Sequence, residues 1–288
     1  MSHVYESASD VPEEHAFLTH LPSGTSIHCY NQQHDIKSLF PPYSVEDSFI
    51  VLKHFPAEIL ADYEEQLPGR CDYSRSLQIL IITVPGQPHE EAACSFETMI
   101  AILAQEMNVN RRIANCGATT VHTPERSKQA DRSWKPARQG REFPTVALEV
   151  GFSETTPRLE RDIAWWINGS KGEVRMGISI DIKRGSHSIE IKCWTPAFEP
   201  VIDKRIKNPP PPRMTRRILI TRGRDGSSPT IEGESLTIPF HTLLLNEPGE
   251  GEGDFVFTAE MLLHDLAERV WDAIDDAETI KAKKEQSS

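Results

Sequence analysis

Thr145-Val146-Ala147-Leu148-Glu149-Val150 is a short apolar stretch that carries a single carboxylate. Its β-branched and aliphatic residues predict a strand. A carboxylate inside such a strand is costly to bury unless it is paired, neutral or bound to a metal ion. Glu149 is therefore the most unusual position in the chain and the first candidate for a functional residue.

Regular elements are predicted on both sides of this strand. The upstream residues predict a buried strand at 77–84, an amphipathic helix at 89–107 and a strand at 113–122. The downstream residues predict a helix at 154–167, then a hairpin of two alternating strands at 174–182 and 188–194. This order predicts a mixed α/β fold in which helices flank a mixed β-sheet.

The core is predicted to span residues 77–195, with an extension at each end. The N-terminal extension, residues 1–76, is expected to be irregular up to about residue 45 and to form two short helices between residues 45 and 66, broken at Pro56. The C-terminal extension, residues 196–288, holds a proline-rich break, two further strands at 217–221 and 236–245, and a helix at 258–279 that Thr258 is expected to cap.

Composition limits the class of protein. The chain has 288 residues and contains no apolar run long enough to cross a membrane, and its polar, acidic N-terminus does not look like a signal peptide. The five cysteines are scattered and include no CxxC pair, which is typical of reduced thiols. We therefore expect an intracellular protein, cytoplasmic or nuclear, that does not bind membranes.

Basic residues are concentrated in two segments, 111–141 and 204–224, of an otherwise acidic chain. The net charge of -12 counts against a nucleic-acid partner, but residues 111–141 carry eight basic residues and two acidic ones. Such asymmetry can produce a local positive field, although a solvated loop remains the alternative interpretation. The predicted nucleic-acid contacts from this segment are Arg111, Arg112, Arg126, Lys128, Arg132 and Lys135.

Asp131 is the natural partner for Glu149. It lies in the polar segment 128–134, eighteen residues before the strand glutamate. A turn with an aspartate followed by a strand with a glutamate can place two carboxylates side by side, and oxygen ligands of this kind favour Mg²⁺ or Mn²⁺. The alternatives are that Asp131 is an ordinary turn residue and that Glu149 pairs with an arginine.

A family resemblance adds to this interpretation. It rests on Gly117–Thr120, Lys128–Pro136, Phe143–Glu154, Leu159–Trp166 and the hairpin of residues 174–194. In order and spacing these segments resemble a group of fungal proteins that are similar to bacterial restriction endonucleases of the PD-(D/E)XK superfamily. The resemblance covers roughly residues 77–194 and implies a restriction-endonuclease-like core.

The resemblance also implies roles for individual residues. In such nucleases the aspartate and glutamate of the motif hold the metal ion, and these positions correspond to Asp131 and Glu149. A carboxylate on the first helix often adds to them, and here Glu90 is the candidate, with Glu91 as the fallback. The implied partner is a nucleic acid, DNA more than RNA, and the implied assembly is a homodimer.

The motif departs from the family pattern at two positions. Ala130 stands where proline precedes the aspartate, and Gly151 stands where the motif lysine is expected. Arg158 and Arg161 on the next helix are the candidate basic residues, although arginine supplies charge and cannot act as a base at neutral pH.

The sequence therefore predicts a divalent-metal-dependent nuclease. The alternative is a catalytically inactive module of the same fold that binds nucleic acid or a protein partner. A third hypothesis, an accessory protein in which the fold serves interaction only, has no positive sign in the sequence.

Overall fold

The computed structural model describes residues 13–31, 36–40, 45–60, 67–152, 155–197, 210–224 and 227–286. Its strands are β1 (Ser26–Cys29), β2 (Ser48–Lys53), β3 (Arg70–Ser74), β4 (Ile79–Val84), β5 (Ile113–Asn115), β6 (Thr120–His122), β7 (Arg126–Gln129), β8 (Arg132–Pro136), β9 (Val146–Gly151), β10 (Met176–Lys183), β11 (Ser188–Thr195), β12 (Arg213–Thr221), β13 (Thr230–Glu232), β14 (Leu236–Ile238) and β15 (Phe255–Phe257). Its helices are α1 (Glu13–Leu18), α2 (Gln87–Glu106), α3 (Thr156–Gly169), α4 (Phe240–Leu244), α5 (Ala259–Met261) and α6 (Glu268–Glu285), with a π-helical segment at Leu262–Ala267 and 3-10 turns at Ile36–Leu39, Ala57–Ile59 and Asn110–Arg112.

Two large sheets organise these elements. The first has the strand order β1-β2-β4-β3-β7-β6, and the second has the order β13-β12-β11-β10-β9-β8-β5. Each sheet contains one parallel pair, β1–β2 in the first and β9–β10 in the second, and the other pairs are antiparallel. The chain enters the second sheet at β5, returns to the first at β6 and passes to the second again between β7 and β8. The prediction of a mixed α/β fold with a mixed sheet and flanking helices is confirmed.

Strand β9 is buried on both faces of the second sheet. Val146, Leu148 and Val150 belong to the large core formed with α2 and the C-terminal helix, whereas Ala147 packs with α3. Because side chains alternate along a strand, Glu149 lies on the same face as Ala147, under α3. The strand pattern thus determines which helix faces the buried carboxylate.

Helix α3 packs closely on the parallel pair. A Cβ atom at Gly177 of β10 would lie only 2.7 Å from Ile163 Cγ2 of α3, so no side chain fits between the strand and the helix there. The buried face of α3 includes Leu159, Ile163 and Trp166. This close approach brings the polar residues of α3 over the strand that carries Glu149.

Several predicted elements are confirmed with small changes of boundary. These are the strand at 77–84, the helix at 89–107, the strand at 145–150, the helix at 154–167, the hairpin at 174–194 and the strand at 217–221. The helix at 258–279 is also confirmed, and Thr258 Oγ1 accepts a hydrogen bond of 3.2 Å from Met261 N as the expected cap. Residues 236–245 instead form a short strand and then helix α4.

The prediction of two helices within residues 45–66 is wrong for the described part of that segment. Residues 48–53 form strand β2, and only Ala57–Ile59 make a helical turn; residues 61–66 lie outside the described ranges. Strand β2 lies between β1 and β4 with its central residues buried, so its apolar run is continuous and does not alternate. Such a run also fits helical spacing, which explains the error.

Two further expectations need correction. The segment expected to be irregular up to residue 45 contains α1 and β1. The single strand predicted at 113–122 is two strands, β5 and β6, which lie in different sheets on either side of a turn where Gly117 has a φ of 51°.

The predicted domain boundaries stay predictions, but β3 and β4 pair across residue 76, and β11 and β12 pair across residue 195.

Two of the cysteines are exposed and two are deeply buried. Cys29 and Cys94 are exposed, Cys71 and Cys193 are buried, and burial raises the pKa of the Cys193 thiol to about 12. We expect iodoacetamide at neutral pH to modify Cys29 and Cys94 in the native protein and to spare Cys71 and Cys193. Peptide mass spectrometry after brief labelling checks this, and early labelling of Cys193 would contradict the packing of β11 against β12.

No helix within the described ranges is both long enough and apolar enough to cross a membrane.

Candidate active site

Asp131 lies at the bend where the chain crosses from β7 to β8. Its Oδ2 accepts a hydrogen bond of 2.7 Å from Val150 N, and its own backbone N–H donates to Leu148 O at 3.2 Å. Both contacts are to β9, on either side of Glu149. The two carboxylates predicted to lie side by side are therefore held on adjoining segments by backbone hydrogen bonds.

Cationic groups surround the other oxygen of Asp131. Arg70 Nε lies 2.7 Å and His89 Nε2 lies 3.0 Å from Oδ1, although neither nitrogen has the alignment of a hydrogen bond. Burial alone would raise the pKa of Asp131, but the charges of His89 and Arg70 lower it well below 3.8. Asp131 is consequently ionised at neutral pH.

His89 bridges two aspartates in the interior. Its Nδ1 lies 3.1 Å from Asp47 Oδ2, and Asp47 also accepts hydrogen bonds from Gly86 N and Phe152 N. Burial would lower the pKa of His89, but the two carboxylates raise it well above 6.5. The imidazole is therefore a buried cation that joins the start of α2 to Asp131.

Glu149 is in a different electrostatic environment. Its Oε1 accepts a hydrogen bond from Trp166 Nε1 and lies 3.4 Å from Lys128 Nζ. Burial raises the pKa of Glu149 to about 7, and the nearby charges of Asp131 and Asp162 add to the rise, while Lys128 opposes it. An additional cation beside Glu149 would therefore relieve repulsion between buried carboxylates.

Lys128 projects from β7 into the same space. Its Nζ lies 3.2 Å from Asp162 Oδ2, 3.4 Å from Glu149 Oε1 and 3.9 Å from Asp72 Oδ2. Burial would lower the pKa of this amine, but the three carboxylates raise it above 10.5. An ammonium group therefore contacts Glu149 although the motif position, Gly151, has no side chain to supply one.

A buried network of ion pairs supports Lys128. Arg126 binds Asp72 through two nitrogens, with Nε at 2.6 Å from Oδ1. Arg158 Nη2 lies 3.2 Å from Asp72 Oδ2, and Arg158 Nε lies 3.3 Å from Asp162 Oδ2. We call Asp72, Arg126, Lys128, Arg158 and Asp162 the charged cluster; it links strands β3 and β7 to helix α3.

The charged cluster, except for Arg126, and the two candidate carboxylates line one small cavity. The cavity has a volume of about 20 Å³, which is space for roughly one water molecule or one ion. Asp131, Glu149 and Lys128 all line it, together with Arg70, His89 and Arg158. The structure thus brings together the predicted pair of carboxylates and adds a lysine that the prediction had assigned to the surface.

Glu90 does not lie with this pair. Its side chain is 38% exposed and pairs with Arg70 Nη2 at 2.5 Å and Arg132 Nη2 at 3.1 Å. Glu90 lies in the first turn of α2, next to His89, and of these two residues only His89 lines the cavity. Glu91, the fallback candidate, accepts a hydrogen bond from Ser95 Oγ within α2. Neither glutamate is placed to share an ion with Asp131 and Glu149.

The two arginines of α3 have different surroundings. Arg158 lines the cavity, which is the position expected for a candidate basic residue of the site. Arg161 instead donates to the backbone carbonyls of Ala16 at 2.6 Å and Thr19 at 3.0 Å. Arg161 therefore anchors the N-terminal segment to α3, and the structure places it outside the set of cavity residues.

The predicted nucleic-acid contacts do not form one surface. Lys128 is buried in the charged cluster, the Arg126 side chain in the same cluster is 13% exposed, and Arg132 pairs with Glu97 as well as Glu90. Lys135 donates to Arg141 O at 2.6 Å. Arg111 and Arg112 lie near Pro136, at the end of β8 opposite Asp131. These six residues therefore do not form the local positive surface that the charge asymmetry of residues 111–141 suggested.

The sequence-based prediction missed Arg70, Asp72, His89 and Asp162. Arg70 and Asp72 lie on one face of β3, a strand that was not predicted. Asp162 has a local signal, because it follows Arg158 by one helical turn on α3 and the two side chains pair. His89 has no second histidine at metal-binding spacing in the sequence, and its partners are aspartates from distant segments.

The donor set fits a divalent ion of the magnesium type. Mg²⁺ is commonly held by one or two carboxylates together with waters and phosphate oxygens. Asp131 and Glu149 provide two carboxylates on one cavity, and burial, together with the nearby charges of Asp131 and Asp162, raises the pKa of Glu149 to about 7. Within the described residues no group of three or more histidine, cysteine, aspartate or glutamate side chains is placed to hold a metal ion.

Comparisons with known proteins give little further information. No protein-family model matches the chain, and no curated protein matches it. A solved structure from Anabaena variabilis, a "putative nuclease belonging to DUF820", is similar over 74% of this chain and 97% of that chain, with 13% sequence identity and a TM-score of 0.36. Its description agrees with the predicted class, but similarity this low establishes neither a shared fold nor a shared activity.

Proposed function

We propose that the chain is a divalent-metal-dependent nuclease that hydrolyses phosphodiester bonds in DNA or RNA, with DNA the preferred substrate. The observation that supports this most directly is that Asp131, Glu149 and Lys128 line one cavity. Two carboxylates and an ammonium group are the combination that the predicted chemistry needs, and here they come from two segments of the chain, residues 128–131 and strand β9.

Each of these residues has a role in the proposal. Asp131 and Glu149 would hold the metal ion, which when bound supplies a Lewis acid that activates water and stabilises negative charge. Lys128 holds a fixed positive charge beside Glu149, where it can stabilise charge that develops on a phosphoryl oxygen. Arg158 and the rest of the charged cluster keep the lysine in position.

Cleavage requires that a phosphodiester group of the substrate reach the cavity. Asp131 and Glu149 are 3% and 6% exposed, so a phosphodiester cannot reach them without local movement. The ion pairs of Arg70 and Arg132 with Glu90 border this region and are partly exposed. Glu90 is 38% exposed whereas its arginine partners are 11% and 12% exposed, so movement of Glu90 is one route by which substrate could reach the cavity.

A cleavage assay tests the proposal. Supercoiled plasmid and single-stranded oligonucleotides are incubated with the purified chain in Mg²⁺ or Mn²⁺, beside the Glu149→Gln variant. We expect metal-dependent cleavage by the wild type and at least about a hundredfold loss in the variant. Glu160→Gln is the matched control, since Glu160 lies on α3 with its side chain 39% exposed and pairs only with Lys192 among described residues. Equal cleavage by Glu149→Gln would contradict the proposal.

One observation favours the second candidate, a catalytically inactive module that binds nucleic acid or a protein. The cavity carboxylates are already neutralised by buried cations, because Arg70, His89, Lys128 and Arg158 all contact them. A network of this kind can also be purely structural. Binding of nucleic acid without metal-dependent cleavage would support this candidate.

A homodimer stays a prediction, which light scattering on the purified protein tests.

A further inference from the structure

A second concave site lies at the opposite end of β8. It is a pocket of about 410 Å³ formed by the 3-10 turn before β5, the residues that follow β8 and the end of α4. Its polar lining consists of Arg111, Arg112, Arg138, Gln139 and Asn246. Its volume is within the range of pockets that bind small molecules, and the cavity beside Asp131 is far smaller.

The lining has the chemistry of an anion site. Its three guanidinium groups and two amide side chains can all donate hydrogen bonds, and no carboxylate lines the pocket. Arginine side chains bind phosphate oxygens through paired, charge-assisted hydrogen bonds. Three of them on one pocket therefore favour a ligand that presents a phosphate group.

Two of the three arginines are available to a ligand. Arg111 and Arg138 are exposed, and in the part of the chain that the structure describes neither forms an ion pair. Arg112 lies over the Phe240 ring at 5.3 Å and pairs with Glu252 at 2.6 Å. Glu252 is therefore an internal anion at the edge of the pocket with which a phosphate would compete.

The backbone on both sides of the pocket is in the left-handed region. Arg138 has a φ of 63°, and Leu245, between the lining residues Leu244 and Asn246, has a φ of 60°. Residues other than glycine, asparagine and aspartate seldom adopt this conformation. Here Leu245 is the cap at which α4 ends and Arg138 lies in the turn after β8, so these turns carry the lining residues Arg138 and Asn246.

We propose that this pocket binds a phosphate group of a nucleotide or of a nucleic-acid strand. Asp131 and Pro136 are separated by strand β8, so the pocket lies roughly 16 Å from the candidate active site. The inference builds on the proposed function, because a phosphate held at this distance could anchor the strand that is cut. Phosphate binding itself requires neither the metal ion nor cleavage.

Binding is measured with two probes in the absence of divalent ions, so that the result does not depend on nuclease activity. One probe is a nucleoside diphosphate, followed by titration calorimetry, and the other is a fluorescein-labelled single-stranded oligonucleotide, followed by anisotropy. The test variant is Arg111→Gln with Arg138→Gln. The matched control is Arg213→Gln with Arg224→Gln, which removes the same charge from exposed positions elsewhere.

We expect the test variant to bind at least about tenfold more weakly than the wild type and the control pair to bind like the wild type. Glu252→Gln should bind more tightly, because it frees Arg112. Binding of both probes would identify a nucleotide pocket, and binding of the oligonucleotide alone would identify a contact for the strand backbone. The proposal is overturned if neither probe binds at about 1 mM, or if the control pair loses as much affinity as the test variant.

Discussion

The Asp72→Asn variant is expected to lose about 3–5 kcal/mol of unfolding free energy. Asp72 accepts two hydrogen bonds from Arg126 and contacts Arg158 and Lys128, and all four side chains are largely buried. Removing one partner of a buried ion pair leaves the other charge in a medium of low polarity, and here three cations lose the same carboxylate. Urea unfolding followed by tryptophan fluorescence measures the loss.

The control for this experiment is Glu160→Gln on the surface of α3. Glu160 pairs with Lys192 at 3.0 Å but is 39% exposed, so its loss should cost less than about 1 kcal/mol. Similar small costs for both variants would show that the charged cluster is not a tightly packed structural unit. On acidification the asparagine variant should lose less stability than the wild type, because it lacks the contribution of Asp72. The charges of Arg126 and Lys128 overcome burial and hold that pKa below 3.8. The wild type keeps its stabilisation above pH 3.8 and loses it below the folded-state pKa.

The Lys128→Met variant is expected to cleave nucleic acid at least about a hundredfold more slowly than the wild type. Methionine retains the length of the side chain but removes the ammonium group that contacts Glu149 at 3.4 Å. Cleavage rates are compared at a temperature at which thermal unfolding shows both proteins to be folded, since the substitution also leaves Asp162 and Asp72 without one cation each.

Lys128→Arg separates the two roles of this residue. Arginine keeps the positive charge, so it should restore much of the stability that methionine loses. Because its planar group cannot occupy the same position as the ammonium, we expect cleavage to remain well below that of the wild type. Wild-type cleavage by Lys128→Met would show that the lysine only neutralises the buried carboxylates.

The elements with strong local patterns could be predicted from the sequence. The alternation in β10 and β11 and the apolar stripe of α2 depend on neighbouring residues, and both predictions are confirmed. Glu149 could be singled out for the same reason, because a carboxylate within an apolar strand is unusual in itself. The polar segment before the strand then indicated Asp131, the resemblance implied the same residue, and the structure places it beside the strand of Glu149.

The partners of these carboxylates could not be predicted in the same way. Lys128 was counted with the basic residues of a loop, but it lies in strand β7, whose pairing with β3 brings it beside Asp72. The contact between β3 and β7 joins segments more than fifty residues apart, so no local pattern indicates it. Charge counts along a segment also do not show which side chains point inward, which is why Arg126 and Lys128 were predicted as nucleic-acid contacts.

The most direct test of the proposed site is a titration of the purified chain with Mn²⁺, followed by the electron paramagnetic resonance signal of the free ion. Wild-type protein should remove a single Mn²⁺ per chain from solution, Glu160→Gln should do the same, and Asp131→Asn should remove none. Equal binding by Asp131→Asn and wild type would contradict a metal ion shared by Asp131 and Glu149.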